Sequence, residues 1–150
     1  MTRKAAREIA VRMCYAMKES GAAPEDILGE MLDEEYYKTL SGEDDVFGSY
    51  PSENEIEYIS RIVKGVAAHE KELVSYVEKY STGWKADRIS KTATAIMITT
   101  MYEVLYMPDV PDSAAINEAV ELAKKYEEPE TVPFINGVLG SFSRHEVTQQ

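Results

Sequence analysis

Apolar residues recur at helical spacing along almost the whole chain. Over residues 3–19, Ala5, Ala6, Ile9, Met13, Ala16 and Met17 fall three or four apart, which marks the buried face of one helix. Gly21 and Pro24 end that helix and open the next element. A second helix is expected over residues 25–40, with Ile27, Leu28, Met31, Leu32 and Leu40 turned inward. The stretch SGEDDVFGSYPS, residues 41–52, is rich in Gly, Asp and Ser and predicts a loop. Ser52 and Glu55 then form S-x-x-E, a capping box at the head of a long helix. Its stripe runs through Ile56, Ile59, Ile62, Val63, Val66, Leu73, Val74 and Val77 and predicts helix to residue 80.

Residues 81–83 break the pattern, and residues 84–89 read as a short turn of helix. After Ser90 a further helix runs to Met107, and Pro108 and Pro111 bracket a turn. Asp112 or Ser113 is expected to cap the next helix, which carries Ile116, Val120, Leu122 and Ala123 inward. Residues 127–130 interrupt it around Pro129, and Thr131 is expected to cap a last helix ending near Phe142. The tail RHEVTQQ is expected to fray. No alternating strand pattern of useful length occurs, so the fold class is all-α. The loop predicts an N-terminal subdomain of about residues 1–50 and a C-terminal subdomain of about 51–145 within one domain spanning 1–150.

Composition adds bounds. At 150 residues, with 44% hydrophobic and 29% charged positions, the chain suits one globular domain. The one cysteine, Cys14, excludes an internal disulfide and a Cys-based metal cluster. No apolar run approaches a membrane span, and the charged N-terminus lacks a signal peptide's apolar stretch. A full-length cytoplasmic protein is expected. The net charge of −11 argues against nucleic acid until its distribution is read. Residues 1–20 carry +3, residues 21–60 carry −11 and residues 61–150 carry −3. A basic N-terminus therefore precedes an acidic block, and phosphate responds to a local patch rather than to the total.

Catalytic chemistry has little to stand on. The histidines are His69, within the long helix, and His145, in the tail, and neither lies in a known motif. There is no P-loop, G-x-G-x-x-G, H-E-x-x-H or C-x-x-C. The run Glu43-Asp44-Asp45 lacks the alternating oxygen ligands and distal Glu of a calcium loop. Cys14 reads as a small buried hydrophobe, and Met97, Met101 and Met107 as core filling. No enzyme, no metal and no cofactor is expected.

The first helix is the most informative element. At about 100° per residue, Arg3, Arg7, Cys14, Lys18, Val11, Lys4 and Tyr15 cluster opposite the Ile9/Met13 face. Four cations and one aromatic ring on a single outward stripe would suit phosphates with a stacked base beside them, as single-stranded RNA allows. An ordinary solvated helix face looks the same, and spacing alone leaves both readings open.

Two further segments bear on that choice. INEAVELAKKY, residues 116–126, followed by FINGVLG, residues 134–140, resembles the C-terminal signature of the NusB family. The opening RKAAREIAVRMCYAM resembles the family's Arg-rich first helix, with Arg3, Lys4, Arg7, Glu8 and Tyr15 in register. Trp84, Arg88 and Ile89 resemble its W-x-x-x-R-(I/L) entry to the next helix, Met101-Tyr102-Glu103 its YE-type helix end, and Pro111 precedes INEA as in the family. The resemblance covers nearly the whole chain except residues 21–55. It implies about seven helices in two small bundles, and a non-catalytic role in transcription antitermination and ribosomal-RNA transcription. It further implies binding of boxA RNA together with NusE, a ribosomal small-subunit protein, on the transcription elongation complex. The RNA-binding residues it implies are Arg3, Lys4, Arg7, Tyr15, Tyr80, Asp87, Tyr126, Glu130 and Phe134. Tyr15 and Glu130 would lie near the meeting of RNA and partner.

Two departures concern the partner. Met97 and Ile98 stand where the family has Leu-Arg, and Ala93 stands where it has an acidic interface residue. A helical scaffold that binds only protein therefore stays open, as does a homodimer that hides the basic helix. A third reading is a stand-alone relative of the helical RNA-binding domain found fused to RNA methyltransferases. No glycine-rich cofactor loop accompanies it here. Phe134 suits a core as well as a surface, and Asn136 and Gly137 are expected to serve helix packing.

Overall fold

In the computed structural model, which describes residues 1–83 and 88–147, every regular element is helical. Among the described residues there are eight α-helices and no strand. They are α1 (Arg3–Ser20), α2 (Pro24–Met31), α3 (Glu34–Leu40), α4 (Glu53–Ala68), α5 (Glu70–Tyr80), α6 (Lys91–Tyr106), α7 (Asp112–Tyr126) and α8 (Thr131–Phe142). A 3-10 turn, Asp45–Phe47, lies between α3 and α4, and a π-helical turn, Ser143–Val147, follows α8. Contacts divide the chain into two units, Met1–Ala68 and His69–Gln150. The division falls at the junction of α4 and α5, not in the 41–52 loop as the composition suggested.

Unit 1 is organised around α1. Thr2 caps the helix by accepting from the Ala5 N–H at 3.1 Å. Gly21 ends it at φ 71, where a side chain would be strained, and donates its N–H to the Met17 carbonyl at 2.9 Å. Ala6, Ile9, Ala10, Met13 and Met17 pack with Ile27 and Leu28 of α2 and with Ile59, Ile62, Val63 and Val66 of α4. The expected 25–40 helix is two helices. Asp33 leaves the helical region at ψ 124 and accepts from the Tyr36 N–H at 3.0 Å, so it starts a new helix in place of continuing the old one.

The 41–52 loop is pinned by rings. Phe47 is buried edge-on to Tyr37, with centroids 5.4 Å apart, and the Tyr37 hydroxyl donates to the Ser49 carbonyl at 2.8 Å. At its end the capping box forms as expected: the Glu55 N–H reaches Ser52 Oγ at 3.3 Å, and the Ser52 hydroxyl donates to Glu55 Oε1 at 2.7 Å. The helix it opens stops at Ala68. His69, at φ −115 and ψ 19, interrupts the single long helix that the apolar stripe predicted.

Unit 2 surrounds α6. That helix is apolar nearly all round and buries eleven of its residues, Met97 and Met101 among them. Leu73 and Val77 of α5, Ala115, Ala119 and Leu122 of α7, and Ile135, Val138, Leu139 and Phe142 of α8 complete the core. Ser90 caps α6 through the Ala93 N–H at 3.0 Å. The caps expected for α7 and α8 differ: the positions before them are Pro111 and Glu130, and neither makes a side-chain cap. The tail does not fray at residues 143–147. Val147 is buried, and Glu146 is bound by Lys79 and Tyr80.

Candidate nucleic-acid interface

The basic helix does not expose a continuous cationic stripe. Residues 6–11 of α1 are all buried, a run long enough to go right round the helix. Arg7 lies in this run and is 6% exposed, where the stripe predicted an outward cation. Glu8, Val11 and Cys14 are buried with it. Projecting all turns onto one circle averages an enclosed middle with exposed ends, which is why the wheel misplaced Arg7. A buried guanidinium must be hydrogen-bonded within the protein, because desolvating it otherwise costs too much.

Cations do reach solvent from the ends of α1. Arg3 and Lys4 are exposed at the first turn, and Lys18 at the last. Arg3 lies over the ring of Tyr58 on α4, its guanidinium carbon 4.0 Å from the centroid. Stacking of this kind pre-orders the guanidinium while its N–H fork stays in plane for an anion. Tyr15 is 38% exposed. Arg12 is used locally: it pairs with Asp44 at 3.1 Å and lies 4.9 Å over Phe47. The acidic block thus neutralises one cation of α1 and leaves the terminal ones at the surface.

Unit 2 brings three of the predicted residues together. Tyr80 at the end of α5, Glu130 before α8 and Phe134 on α8 line one open cleft of about 460 Å³, with Thr82, Gly137 and Ser141. Phe134 is half-buried, so its ring is neither wholly core nor wholly surface. Gly137 has nothing within 4 Å of where a Cβ would stand. Helix packing, the role expected for it, therefore does not explain it, and a mid-helix glycine costs about 1 kcal/mol relative to alanine. A glycine facing an empty cleft lets a ligand approach the backbone closely. Tyr126 is half-buried at the end of α7, with the Lys125 ammonium 5.4 Å from its ring centroid, and it does not line this cleft. Asp87 and Trp84 lie outside the described residues.

The sequence alone assigned Gly137 a packing role and did not mark Ser141 or Lys79. The first two follow Phe134 at i+3 and i+7, so the 3.6-residue period that found the core of α8 also marks its cleft face. Lys79 donates to Glu146 Oε2 at 2.9 Å, and Tyr80 donates to the same oxygen. These bonds hold the Glu146 carboxyl below the usual carboxylate range, Tyr80 foremost. Burial and that bond together raise the Tyr80 phenol.

The two departures on α6 are core positions. Ala93, Met97 and Ile98 are all buried in the core of unit 2. Among the described residues no group of His, Cys, Asp and Glu side chains is arranged to hold a metal ion, and no helix is long and apolar enough to cross a membrane.

Comparison with known proteins settles the lineage. The NusB family model matches residues 4–144. The chain belongs to the NusB family. Transcription antitermination protein NusB of Acetivibrio thermocellus is 41% identical over 140 residues, covering 93% of this chain and 87% of that protein. Its counterpart in Ruminiclostridium cellulolyticum is 33% identical over 150 residues, covering 100% of this chain and 94% of that protein. Among solved structures, T. maritima NusB superposes with a TM-score of 0.79 at 23% identity, over 97% of this chain and 92% of that one. A chain from the crystal structure of antitermination factors NusB and NusE in complex with dsRNA gives 0.73 at 20% identity, over 95% of this chain and 96% of that one. The all-helical fold is common to this chain and these solved structures.

Proposed function

We propose that this NusB-family antitermination factor, which is not an enzyme, binds boxA-type single-stranded RNA together with NusE during ribosomal-RNA transcription. The observation that carries the reading is the cleft of unit 2. Tyr80 and Phe134 line it with rings, Gly137 adds no side chain to it, and Glu130 lines it as well. A splayed base can stack on rings of this kind, which a duplex does not permit. Arg3 and Lys4 supply phosphate contacts from the first turn of α1, and Tyr15, exposed further along the same helix, sits at the edge of the site. Arg7 takes a different part from the one the resemblance implied: buried in the middle of the same helix, it holds α1 in its packing and leaves phosphate to the exposed cations.

Charge sets the mechanism. At a net −11 the chain alone repels RNA at long range, so the binary complex is weak. The carboxylates Glu25, Asp26, Glu30 and Asp33 line an open groove in unit 1, a surface that repels phosphate. A partner that adds cations raises affinity by completing the phosphate contacts. The test is titration with a boxA-like RNA, with and without NusE, at two salt concentrations. Binding that strengthens with NusE and weakens steeply with salt is expected. Binding to NusE with no RNA binding at either salt concentration would replace this reading with the protein scaffold.

A further inference from the structure

The π-helical turn after α8 closes on the end of α5. The Glu146 carboxylate accepts from the Lys79 ammonium at 2.9 Å and from the Tyr80 hydroxyl at the same oxygen. The neighbouring His145 imidazole is stacked on the Tyr80 ring, with centroids 5.7 Å apart and planes at 21°. Ser141 ties the turn back to α8, its carbonyl 2.8 Å from His145 Nδ1 and its hydroxyl 3.2 Å from an Arg144 nitrogen. The same Tyr80 and Ser141 line the cleft described above.

Taken together, these contacts have the chemistry of a bound nucleotide. An anionic oxygen is shared by an ammonium and a phenol, and a flat heteroaromatic ring lies parallel to the phenol. Phosphodiester oxygens and bases make these contacts with cationic and aromatic side chains. We propose that residues 143–147 act as a self-ligand, in which Glu146 and His145 fill a nucleotide subsite made by Lys79 and Tyr80, and RNA displaces them on binding. The inference rests on the RNA-binding reading and adds to it an occupied subsite and a residue, Lys79, that the resemblance did not supply. The turn suits such a role: π-helical geometry is rare and concentrates at functional sites. Lys79 is 62% exposed, so solvent screens its pair with Glu146 and a strand offering several phosphates can replace it.

Anisotropy titration of a fluorescent boxA-like single-stranded RNA against the full chain tests this, with Glu146→Ala, His145→Ala and Lys79→Ala as variants. Glu146→Ala and His145→Ala empty the subsite and should each tighten binding about threefold or more, since a site closed for part of the time loses affinity in that proportion. Lys79→Ala breaks the same latch but removes the phosphate contact, so it should weaken binding. A latch with no RNA role predicts no change in any variant. With two histidines in the chain, the His145 ring resonances are readily assigned. On adding RNA to the unaltered chain they should move to the positions seen in RNA-free Glu146→Ala. Unchanged affinity in Glu146→Ala, or a His145 ring still stacked at RNA saturation, overturns the self-ligand while leaving the RNA reading in place. If neither the unaltered chain nor Glu146→Ala binds RNA, the RNA reading falls and the subsite with it.

Discussion

Unit 1 offers charge at its surface, and unit 2 offers shape. In unit 1 the middle of α1 is enclosed, so cations reach solvent from the two ends of the helix, Arg3 and Lys4 at one and Lys18 at the other. In unit 2 the candidate surface is a cleft, walled by the rings of Tyr80 and Phe134 with Gly137, Ser141 and Glu130 around them. Contacts of the first kind are screened by salt, whereas a ring-walled cleft depends on fit. The difference teaches that each unit can be damaged in two separable ways, through its packing or through its surface.

The largest effect should come from the packing of unit 2. Phe142 is fully buried and meets the rings of Tyr76 at 5.2 Å and Tyr80 at 6.4 Å. Phe142→Ala should cost about 3–5 kcal/mol by thermal or denaturant unfolding. In unit 1 the sharper contrast lies within one helix. Arg7→Ala should cost about 2 kcal/mol, because it removes a buried, hydrogen-bonding side chain and its packing. Lys4→Ala, at an exposed position of the same helix, should stay within about 0.5 kcal/mol. Equal stability of the two variants would break the comparison, since it would put Arg7 at the surface.

Gly137→Ala sharpens the comparison on the side of shape. The methyl group meets nothing within 4 Å, so α8 should gain about 0.5–1 kcal/mol. RNA binding should weaken at the same time, because the methyl group stands in the cleft. A variant that is stabler and binds RNA as before would assign the cleft no part in binding.

The smallest effect is on the terminal turn, and its sign follows from the two shifts. Glu146 is held below the usual carboxylate range, so its contribution is present at neutral pH and lost as pH falls through its folded value. Tyr80 is raised, so its contribution is present below the ordinary phenol range and lost as pH rises through its folded value. The turn should therefore be held most firmly around neutral pH and loosen on both sides, as read from the His145 resonances. Tyr37 and Tyr106, both pushed up to about 12, should ionise late in an ultraviolet titration, Tyr37 mainly through burial and Tyr106 mainly through its bond to Glu72.

Much of the fold was legible in the sequence because core positions repeat. Ile9, Met13, Ile59, Ile62, Leu122 and Phe142 all lie where the period places them. What escaped was set by single residues that the period does not see. Asp33 caps α3 through its own side chain, and His69 leaves helical geometry within an unbroken apolar stripe. Arg7 was misread because amphipathicity assumes a solvent face along the whole helix, and α1 lacks one at its middle. The cleft residues Tyr80, Glu130 and Phe134 came from resemblance. No local pattern brings the end of α5 to the face of α8; that meeting depends on packing between residues some fifty positions apart.

The central claim is that exposed cations at the start of α1 contact phosphate while the buried Arg7 does not. The most direct test is the salt dependence of RNA binding for the unaltered chain and for a variant carrying Arg3→Ala and Lys4→Ala. Losing two single-strand phosphate contacts should flatten the log–log slope by about 1.4. Melting should fall only by the lost stacking of Arg3 on Tyr58, about 0.5–1 kcal/mol. An unchanged slope with unchanged affinity would contradict the account and make the ends of α1 an ordinary solvated surface.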